Sequence, residues 1–245
     1  MSVKYYETRL YVKDDLSIGK SLVLKNDQSH YIRSVLRLKE NSQIALFNGE
    51  EGEWLSTIKI ISRKFVELEV IEQIKLQEVI SDIWLVFAPI KRTRIDYLAQ
   101  KATELGAGAL WPIFTKYTSV SRVNAERLRS NSIEAAEQSG RLTVPKILDP
   151  IDFDTLIEKW PHDRDLFCLD ETGRGAPILD AFRSSHHRAS GLLIGPEGGF
   201  AKEELDQVDK LGKVCRVSLG KRSLRSDTAA VAALACSQAA AGDWL

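Results

Sequence analysis

Three glycine-bearing loops near the C-terminus carry most of the residue types that could do chemistry. They read LDETGRG at 169–175, IGPEGGF at 194–200 and SLGKRSLRSDTA at 218–229, and each follows a short apolar run typical of a strand. Glycine lets the backbone approach a ligand closely and adopt positive φ angles. In an open parallel sheet, the loops that leave the carboxyl ends of the strands form the ligand crevice. The pattern predicts either a shared cofactor pocket or, more simply, three tight strand-to-helix turns.

Several common site types are disfavoured by the motifs that the sequence lacks. There is no G-x-x-x-x-G-K-[ST] phosphate loop and no G-x-G-x-x-G after the first strand, so classical nucleoside triphosphate and dinucleotide sites are not expected. The cysteines, Cys168, Cys215 and Cys236, form no C-x-x-C pair, and the four histidines show no metal-ligand spacing. We therefore expect neither a metal site nor a disulfide framework.

The charge balance is neutral, with 34 Lys and Arg against 34 Asp and Glu. Any contact with a nucleic acid must then come from local patches, unless these clusters are simply solvated faces. The candidate patches are Arg33 with Arg37, the run 91–94, and Arg122 with Arg127 and Arg129. No apolar run approaches the roughly 18–20 residues of a membrane helix, and the N-terminus has no apolar signal core, so we expect a cytoplasmic protein.

The N-terminal part of the chain has the pattern of a small β-barrel, for which we predict the range 1–72. Short runs rich in β-branched and aromatic residues cover 5–12, 21–24, 43–47, 53–61 and 65–71. Asn48-Gly49 is typical of a hairpin turn. The segment 29–38 has helical spacing with Ser29 as N-cap, which would place Arg33 and Arg37 one turn apart on the same helix.

The remainder, 73–245, has the pattern of an α/β domain with a parallel sheet. Strand-like runs at 83–89, 109–114, 165–170, 191–195 and 215–220 alternate with helix-like runs at 95–106, 124–140, 177–185, 202–212 and 226–241. The three glycine-bearing loops fall after the last three of these strands. The elements therefore predict that the loops meet at one edge of the sheet.

The strings IGPEGGF, LGKRSLRSDTA, QKATELGA and AAEQSGR resemble the 16S ribosomal RNA (uracil-N3) methyltransferase family of the SPOUT superfamily. The GPEGG loop after an apolar strand, followed by a downstream L-G-x-R-x-L-R-x-[DE]-T-A, is a highly specific pair. The segment from His30 to Arg37 and the Asn48-Gly49 turn are similar to features of the N-terminal barrel of that family. The resemblance therefore spans nearly the whole chain.

The resemblance implies a fold, a reaction and partners. The fold would be a PUA-like RNA-binding barrel followed by a parallel-sheet SPOUT domain with a C-terminal trefoil knot. The reaction would be S-adenosyl-L-methionine-dependent methylation of uracil N3 at a specific uridine of 16S rRNA, in the assembled small subunit. The enzyme would be an obligate homodimer whose subunits share the RNA site. The implied cofactor-binding residues are Leu169, Glu171, Gly195, Pro196, Glu197, Gly199, Ser218, Leu219, Gly220, Leu224 and Thr228.

The sequence departs from the family pattern at three positions. Lys221 stands where a proline is common, Ser223 replaces a usual isoleucine, and Asp227 replaces a usual glutamate. The shorter Asp227 side chain weakens any role assigned to that carboxylate. The other two changes affect the third loop, where Ser223 would make one wall of the adenine site less apolar.

Two residues are candidates for the chemistry at uracil N3, which must lose its proton and be aligned with the methyl donor. Arg225 offers a planar donor fork for the uracil anion or a phosphate, and the alternative is a structural salt bridge to Asp227 or Glu197. Asp227 is a candidate general base. We favour instead a role for Ser226 or Asp227 as the cap of the last helix.

The candidate RNA contacts are Arg33, Arg37, Lys91, Arg94 and Arg141. Lys101 and Glu104 are either an intrahelical ion pair or part of a functional or dimer surface. Gln138 and Arg141 either cap their helix or, by the resemblance, shape the active cleft. Two other functions compete: another α/β enzyme such as a hydrolase, disfavoured because G-x-S-x-G is absent, and an RNA-binding module with a degenerate catalytic half, disfavoured by the intact GPEGG loop.

Overall fold

The computed structural model describes residues 6–185 and 189–244, except the side chain of Arg92, and these residues divide into two units. One unit holds the described residues up to Val79 together with Ala136–Thr143, and the other holds Ile80–Ala135 with the described residues from Val144 onward. The boundary predicted between 72 and 73 falls inside a strand of the first unit. Tyr5, at the start of the first predicted strand, lies outside the described residues.

The first unit is built on a five-stranded mixed sheet. Its order is β1-β3-β4-β5-β2, and only the β1–β3 pairing is parallel. In β2 the side chains of Leu22 and Leu24 point inward while their neighbours are exposed, the period of two that a half-buried strand requires. All five strands contribute to one apolar core, so the sheet curls around it. The strands are β1 (Arg9–Tyr11), β2 (Ser21–Lys25), β3 (Gln43–Phe47), β4 (Glu53–Ile61) and β5 (Phe65–Lys75).

The predicted hairpin at Asn48-Gly49 is confirmed. The Asn48 side-chain oxygen accepts hydrogen bonds from the backbone amides of Glu50 and Glu51 at 3.0 and 3.1 Å, and Gly49 has a φ of 93°. These contacts close the connection between the antiparallel strands β3 and β4. An Asx-type turn with glycine at the positive-φ position is therefore what fixes this register.

The helix of the first unit differs from its prediction. It begins earlier, as α1 (Asn26–His30), and continues as a π-helical segment over Tyr31–Val35. Ser29 is buried inside the helix and is not its N-cap. Arg37 lies beyond the helix end with a left-handed φ of 54°, so it does not share a helix with Arg33. The helical spacing alone gave no sign of the wider π turn.

A buried cation ties β1 to the segment Ala136–Thr143 of the same unit. The Arg9 guanidinium pairs with Glu53 and donates to the carbonyl oxygens of Ala136, Glu137 and Arg141 at 2.7, 3.0 and 3.0 Å. Burying a charge is costly unless it is paired and hydrogen-bonded, and this guanidinium is paired with Glu53 and has a partner at each of its nitrogens. The Arg9 contacts explain why Ala136–Thr143 belongs with the first unit.

The second unit is built on a parallel sheet of order β11-β13-β10-β12-β6-β7-β8, with β9 paired to β7. The α/β prediction is confirmed. The strands are β6 (Asp82–Phe87), β7 (Ala109–Phe114), β8 (Lys146–Ile147), β9 (Ile151–Asp152), β10 (Asp165–Leu169), β11 (Ala176–Pro177), β12 (Ala189–Ile194) and β13 (Val214–Ser218). The further helices of the chain are α2 (Arg92–Glu104), α3 (Ala125–Ser139), α4 (Phe153–Lys159), α5 (Ile178–Ser184), α6 (Lys202–Val208) and α7 (Ser226–Ala241).

Helices cover both faces of this sheet, because successive strand residues belong to two different apolar clusters. Leu192 of β12 packs with residues of α2, α5 and α7, whereas Leu193 packs with residues of α4 and α6. A parallel sheet buried on both faces needs strands that are largely apolar, as β12 is from Gly191 to Ile194. Within the described part of the chain, no helix is both long and apolar enough to cross a membrane.

Helix α4 was not predicted, although its N-terminal signal is present. The Asp152 carboxylate accepts a hydrogen bond from the backbone amide of Thr155 at 2.7 Å, and this bond holds the pKa of Asp152 below its usual value. Phe153 and Leu156 bury the inner face of the helix. An N-cap aspartate followed by two apolar residues three apart is thus the sequence signal that α4 carries.

Candidate active site

The three glycine-bearing loops line one cavity of about 380 Å³. Strand β10 pairs in parallel with both β12 and β13, so the carboxyl ends of the three strands lie side by side. The loops that leave them therefore converge, although they are separated along the chain. The lining residues are Leu169, Asp170, Glu171, Thr172, Gly173, Ile194, Gly195, Pro196, Gly199, Phe200, Leu205, Val217, Ser218, Leu219, Gly220, Lys221, Arg222, Ser223, Leu224, Ser226 and Ala229.

The cavity contains the expected cofactor-binding residues with two exceptions. Glu197 and Thr228 do not line it, whereas all the other candidates do. Sequence reasoning missed Asp170 and Ser226, which flank expected residues in the same loops, and Leu205, which comes from α6. Leu205 carries no signal in the sequence, because its position at the cavity depends on how α6 packs.

Gly199 occupies a position that only glycine fits without strain. Its φ is 69°, and its amide donates to the carbonyl of Pro196 at 2.9 Å in a tight turn. A Cβ at this position would lie 2.1 Å from Oε1 of Glu171. The Glu171 carboxylate therefore lies over the Gly199 backbone at the cavity wall.

Asp170 shapes the first loop from inside. Its buried carboxylate accepts a hydrogen bond from the backbone amide of Thr172 at 2.8 Å and lies 3.5 Å from the guanidinium of Arg216. Burial, and secondarily the charge of Asp170, raise the pKa of Cys168 to about 12. The thiol of Cys168 thus stays protonated and behaves as a small apolar side chain.

In the described ranges, no three His, Cys, Asp or Glu side chains are grouped to hold a metal ion.

The N-cap of α7 differs from its prediction, although the helix spans the predicted range. The N-cap position is Arg225, whose side chain makes no capping bond, so neither Ser226 nor Asp227 is the N-cap. Instead, the Ser226 hydroxyl donates to the carbonyl oxygen of Gly195 at 2.8 Å. The second loop and the last helix are therefore tied directly together beside the cavity.

Arg94 forms ion pairs with Glu197 and Asp227, the two acidic residues that the sequence offered as partners of Arg225. Its guanidinium lies 3.3 Å from Glu197 Oε1 and 3.9 Å from Asp227 Oδ2. Asp227 also accepts a hydrogen bond from the backbone amide of Thr228 at 3.0 Å. Within the part of the chain that the structure describes, the Arg225 guanidinium makes no ion pair or hydrogen bond and is exposed to solvent. The expected alternative of a salt bridge from Arg225 to these carboxylates is therefore wrong.

The candidate RNA-binding residues lie outside the cavity lining. Lys91 is exposed at the N-cap position of α2, and Arg94 follows in its first turn. In the first unit, the Arg33 Nε donates to the carbonyl of Ser29 at 3.3 Å, Arg37 is exposed, and Arg141 donates to Thr143 Oγ1 at 2.9 Å. Gln138 and Arg141, expected to shape the cleft, do not line the cavity either.

The pair Lys101 and Glu104 takes the simpler of its two expected forms. The Lys101 Nζ lies 2.7 Å from the Glu104 carboxylate as an i,i+3 pair on α2. Such an exposed intrahelical pair contributes a few tenths of a kcal/mol. It requires no functional explanation.

Comparison with known proteins gives consistent matches along the chain. Residues 77–238 match the RNA methyltransferase domain, and residues 24–71 match the RNA methyltransferase PUA domain. The ribosomal RNA small subunit methyltransferase E of Rickettsia conorii is 33% identical over 93% of this chain and 93% of its own length.

Two solved structures have the same fold over nearly their full lengths. The ribosomal RNA small subunit methyltransferase E of Neisseria gonorrhoeae, bound to S-adenosyl methionine, has a TM-score of 0.88 and 29% identity, covering 98% of this chain and 100% of that one. A methyltransferase from Legionella pneumophila, in complex with the cofactor SAM, has a TM-score of 0.87 and 28% identity, covering 96% and 98%.

The bond between Ser226 and Gly195 should contribute measurably to stability. Ser226→Ala leaves the carbonyl of Gly195, in a part-buried position, without this partner, so we expect a loss of about 1–2 kcal/mol in the free energy of unfolding by urea. Ser121→Ala, an exposed serine in a loop of the same unit, is the control and should change stability little. Equal stability of the two variants would mean that the bond contributes nothing.

Proposed function

The chain belongs to the RNA methyltransferase family, and from that membership we propose that it transfers a methyl group from S-adenosylmethionine to uracil N3 at a specific uridine of 16S ribosomal RNA. The observation that carries the proposal is the single cavity built by the three glycine-bearing loops, in a fold shared with a relative bound to that cofactor. The small ribosomal subunit as substrate is supported by the relatives' activity.

The cavity has the chemistry that this cofactor requires. Apolar side chains of Leu169, Ile194, Val217 and Leu219 offer a wall for a purine ring, and the glycines let a ligand approach the backbone closely. The Glu171 carboxylate, held over Gly199, is an acceptor for hydroxyl groups. When bound, S-adenosylmethionine supplies an electrophilic methyl group on its sulfonium.

Gly199→Val should abolish S-adenosylmethionine binding in isothermal titration calorimetry, because a side chain at Gly199 displaces Glu171 and narrows the cavity. Gly19→Val is a matched control: Gly19 also has a positive φ, of 78°, but lies in open space in the first unit. Both variants carry the backbone strain of a left-handed residue, so only the site-specific effect differs. Normal cofactor binding by Gly199→Val would show that this cavity is not the cofactor site.

Arg225 is the residue that we assign to the uracil. Uracil N3 is a poor nucleophile while it carries its proton, so the transfer needs that proton removed and the resulting charge on the ring oxygens stabilised. The Arg225 guanidinium is exposed in the third loop and lacks an acidic partner within the described residues. It can therefore meet a developing anion without first breaking an ion pair, and its donor fork suits a planar acceptor.

Arg225→Ala should reduce the single-turnover rate of methyl transfer by roughly two to three orders of magnitude, as the loss of one oxyanion donor does. Cofactor affinity should barely change, because the interaction matters in the transition state. Arg225→Lys should restore little of the rate, since a point charge lacks the fork. A normal rate in Arg225→Ala would exclude this role.

The Asp227→Asn variant, measured by the same single-turnover rates, tests whether Asp227 is the general base or a partner of Arg94. The single-turnover rate of the wild-type enzyme should rise with pH through the neutral range, and if Asp227 is the general base, its replacement by asparagine should flatten that rise. If Asp227 instead holds Arg94, Glu197→Gln should reproduce much of its effect while the pH profile keeps its shape. In that case the proton passes to water or to another group.

We assign the RNA-binding domain to 1–72 and catalysis to 73–245. The proposed RNA contacts are Arg33 and Arg37 in the first range and Lys91, Arg94 and Arg141 in the second. The match of residues 24–71 to an RNA methyltransferase PUA domain supports the first assignment. Arg33 and Arg37 lie near the end of one helical segment, which supports phosphate contacts even though they do not share a helix.

Replacing Arg33 and Arg37 together by alanine should lower the slope of log affinity against log salt concentration by roughly one to two units, since each lost phosphate contact removes about 0.7–0.9. The measurement is RNA binding across a salt series. Arg63→Ala with Lys64→Ala, two exposed cations in the turn between β4 and β5, is the charge-matched control. An unchanged slope would leave Arg33 and Arg37 as surface charges.

The proposal extends to assembly and topology. A homodimer is implied by the resemblance to the family, and the side chains of Tyr97 on α2 and of Trp244 beyond α7, 45% and 58% exposed, are candidates for its interface. A trefoil knot is supported by family membership and by the close contact of α7 with the second loop. A small-subunit substrate would place the enzyme in the cytoplasm.

A further inference from the structure

An exposed aromatic side chain lies at the same edge of the sheet as the cavity. Tyr117 follows the carboxyl end of β7 by three residues and is 50% exposed. The sheet order places β13, β10, β12, β6 and β7 next to one another, all parallel. The loops leaving these strands therefore form one continuous edge, with the cavity at one part of it and Tyr117 further along.

Tyr117 packs against the second loop of the cavity. A Cβ built on Gly198 would lie 3.2 Å from the Cβ of Tyr117, so these residues are in close contact. Gly198 immediately precedes Gly199, which lines the cavity. The tyrosine is therefore next to the loop that would hold the cofactor. Among the exposed aromatic side chains of the described residues, that of Tyr117 is the one for which a contact with this loop is shown.

The backbone that carries Tyr117 is held in place on both sides. The backbone amide of Thr115 donates to Thr118 Oγ1 at 2.9 Å. In return, the backbone amide of Thr118 donates to the carbonyl oxygen of Thr115 at 3.1 Å. The amide of Lys116 donates to the buried carboxylate of Glu204 at 2.7 Å. An exposed ring on a fixed backbone loses little conformational entropy when a ligand covers it.

Cations accompany this ring along the edge. The Lys116 Nζ lies 5.9 Å from the Tyr117 ring centroid and 3.3 Å from Glu203. Lys91 is exposed after β6, and Arg122 is exposed in the loop that follows Tyr117. Aromatic faces that stack bases, set among cations that meet phosphates, are the features by which proteins bind single-stranded RNA.

We propose that Tyr117 is a stacking site for an unpaired nucleobase of the RNA substrate, adjacent to the uridine that enters the active site. The base must be unpaired and splayed out, because inside a helix both of its faces are covered. The stacked neighbour would fix the RNA strand beside the second loop, so that the reacting uridine is presented to the cavity. This inference rests on the proposed RNA methyltransferase function.

The test compares Tyr117→Ala, Tyr117→Phe and Leu179→Ala in binding and methylation of small-subunit RNA. Base stacking contributes about 1–3 kcal/mol per base, so Tyr117→Ala should weaken RNA binding by roughly 5- to 150-fold. Tyr117→Phe keeps the ring and should stay within about twofold of wild type. Leu179→Ala removes an apolar side chain of similar exposure from α5 and should have no effect. Affinity for S-adenosylmethionine, measured on each variant, should be unchanged.

Abasic substitution of the RNA identifies the stacked base. Each nucleotide flanking the methylated uridine is replaced in turn, and one replacement should weaken binding to wild-type enzyme as much as Tyr117→Ala does. Combining that replacement with Tyr117→Ala should cause no further loss. Wild-type affinity and rate in Tyr117→Ala, or an equal loss in Tyr117→Phe, would overturn the stacking site. Absence of cofactor binding or RNA methylation by wild-type enzyme would instead overturn the proposed function, and the inference with it.

Discussion

The parallel pairing of β10 with both β12 and β13 is the constraint on which the candidate active site depends. Phe167 of β10 lies opposite Leu192 on one side and Cys215 on the other, so the three strands end at the same level. Apolar side chains on both faces hold this register, because a slip of one residue would exchange the two faces of a strand. Loops far apart along the chain thereby enclose one cavity.

Local sequence patterns predicted an element well where its apolar residues follow the spacing of either a strand or an ordinary α-helix. The ranges predicted for β3, β4, β7 and α7 agree with the structure at both ends. The π-helical segment after α1 was not predictable, since its apolar residues fit an ordinary helix as well. The helix start was also missed, because Ser29 carries the chemistry of an N-cap but is buried within the helix.

The sequence could not predict which charged side chains of the site form ion pairs with one another. Arg94, Glu197 and Asp227 lie on three separate elements, and only the folded sheet brings them together. Two carboxylates then share one guanidinium, and Arg225 is left without an acidic partner among the described residues. This asymmetry was invisible in the sequence, where Arg225 and Asp227 are two residues apart and look like natural partners.

The double glycine of the second loop has a separate structural reason at each position. Gly199 lacks a side chain where Glu171 covers the backbone, and Gly198 lacks one where Tyr117 packs. The loop is also tied to α7 through the Ser226 bond to Gly195. One short segment thus contacts the cavity wall, the last helix and the proposed base-stacking residue. Any displacement of it would shift the cavity and the proposed base-stacking residue together, so in the proposed function a fixed second loop would hold donor and acceptor in register for transfer.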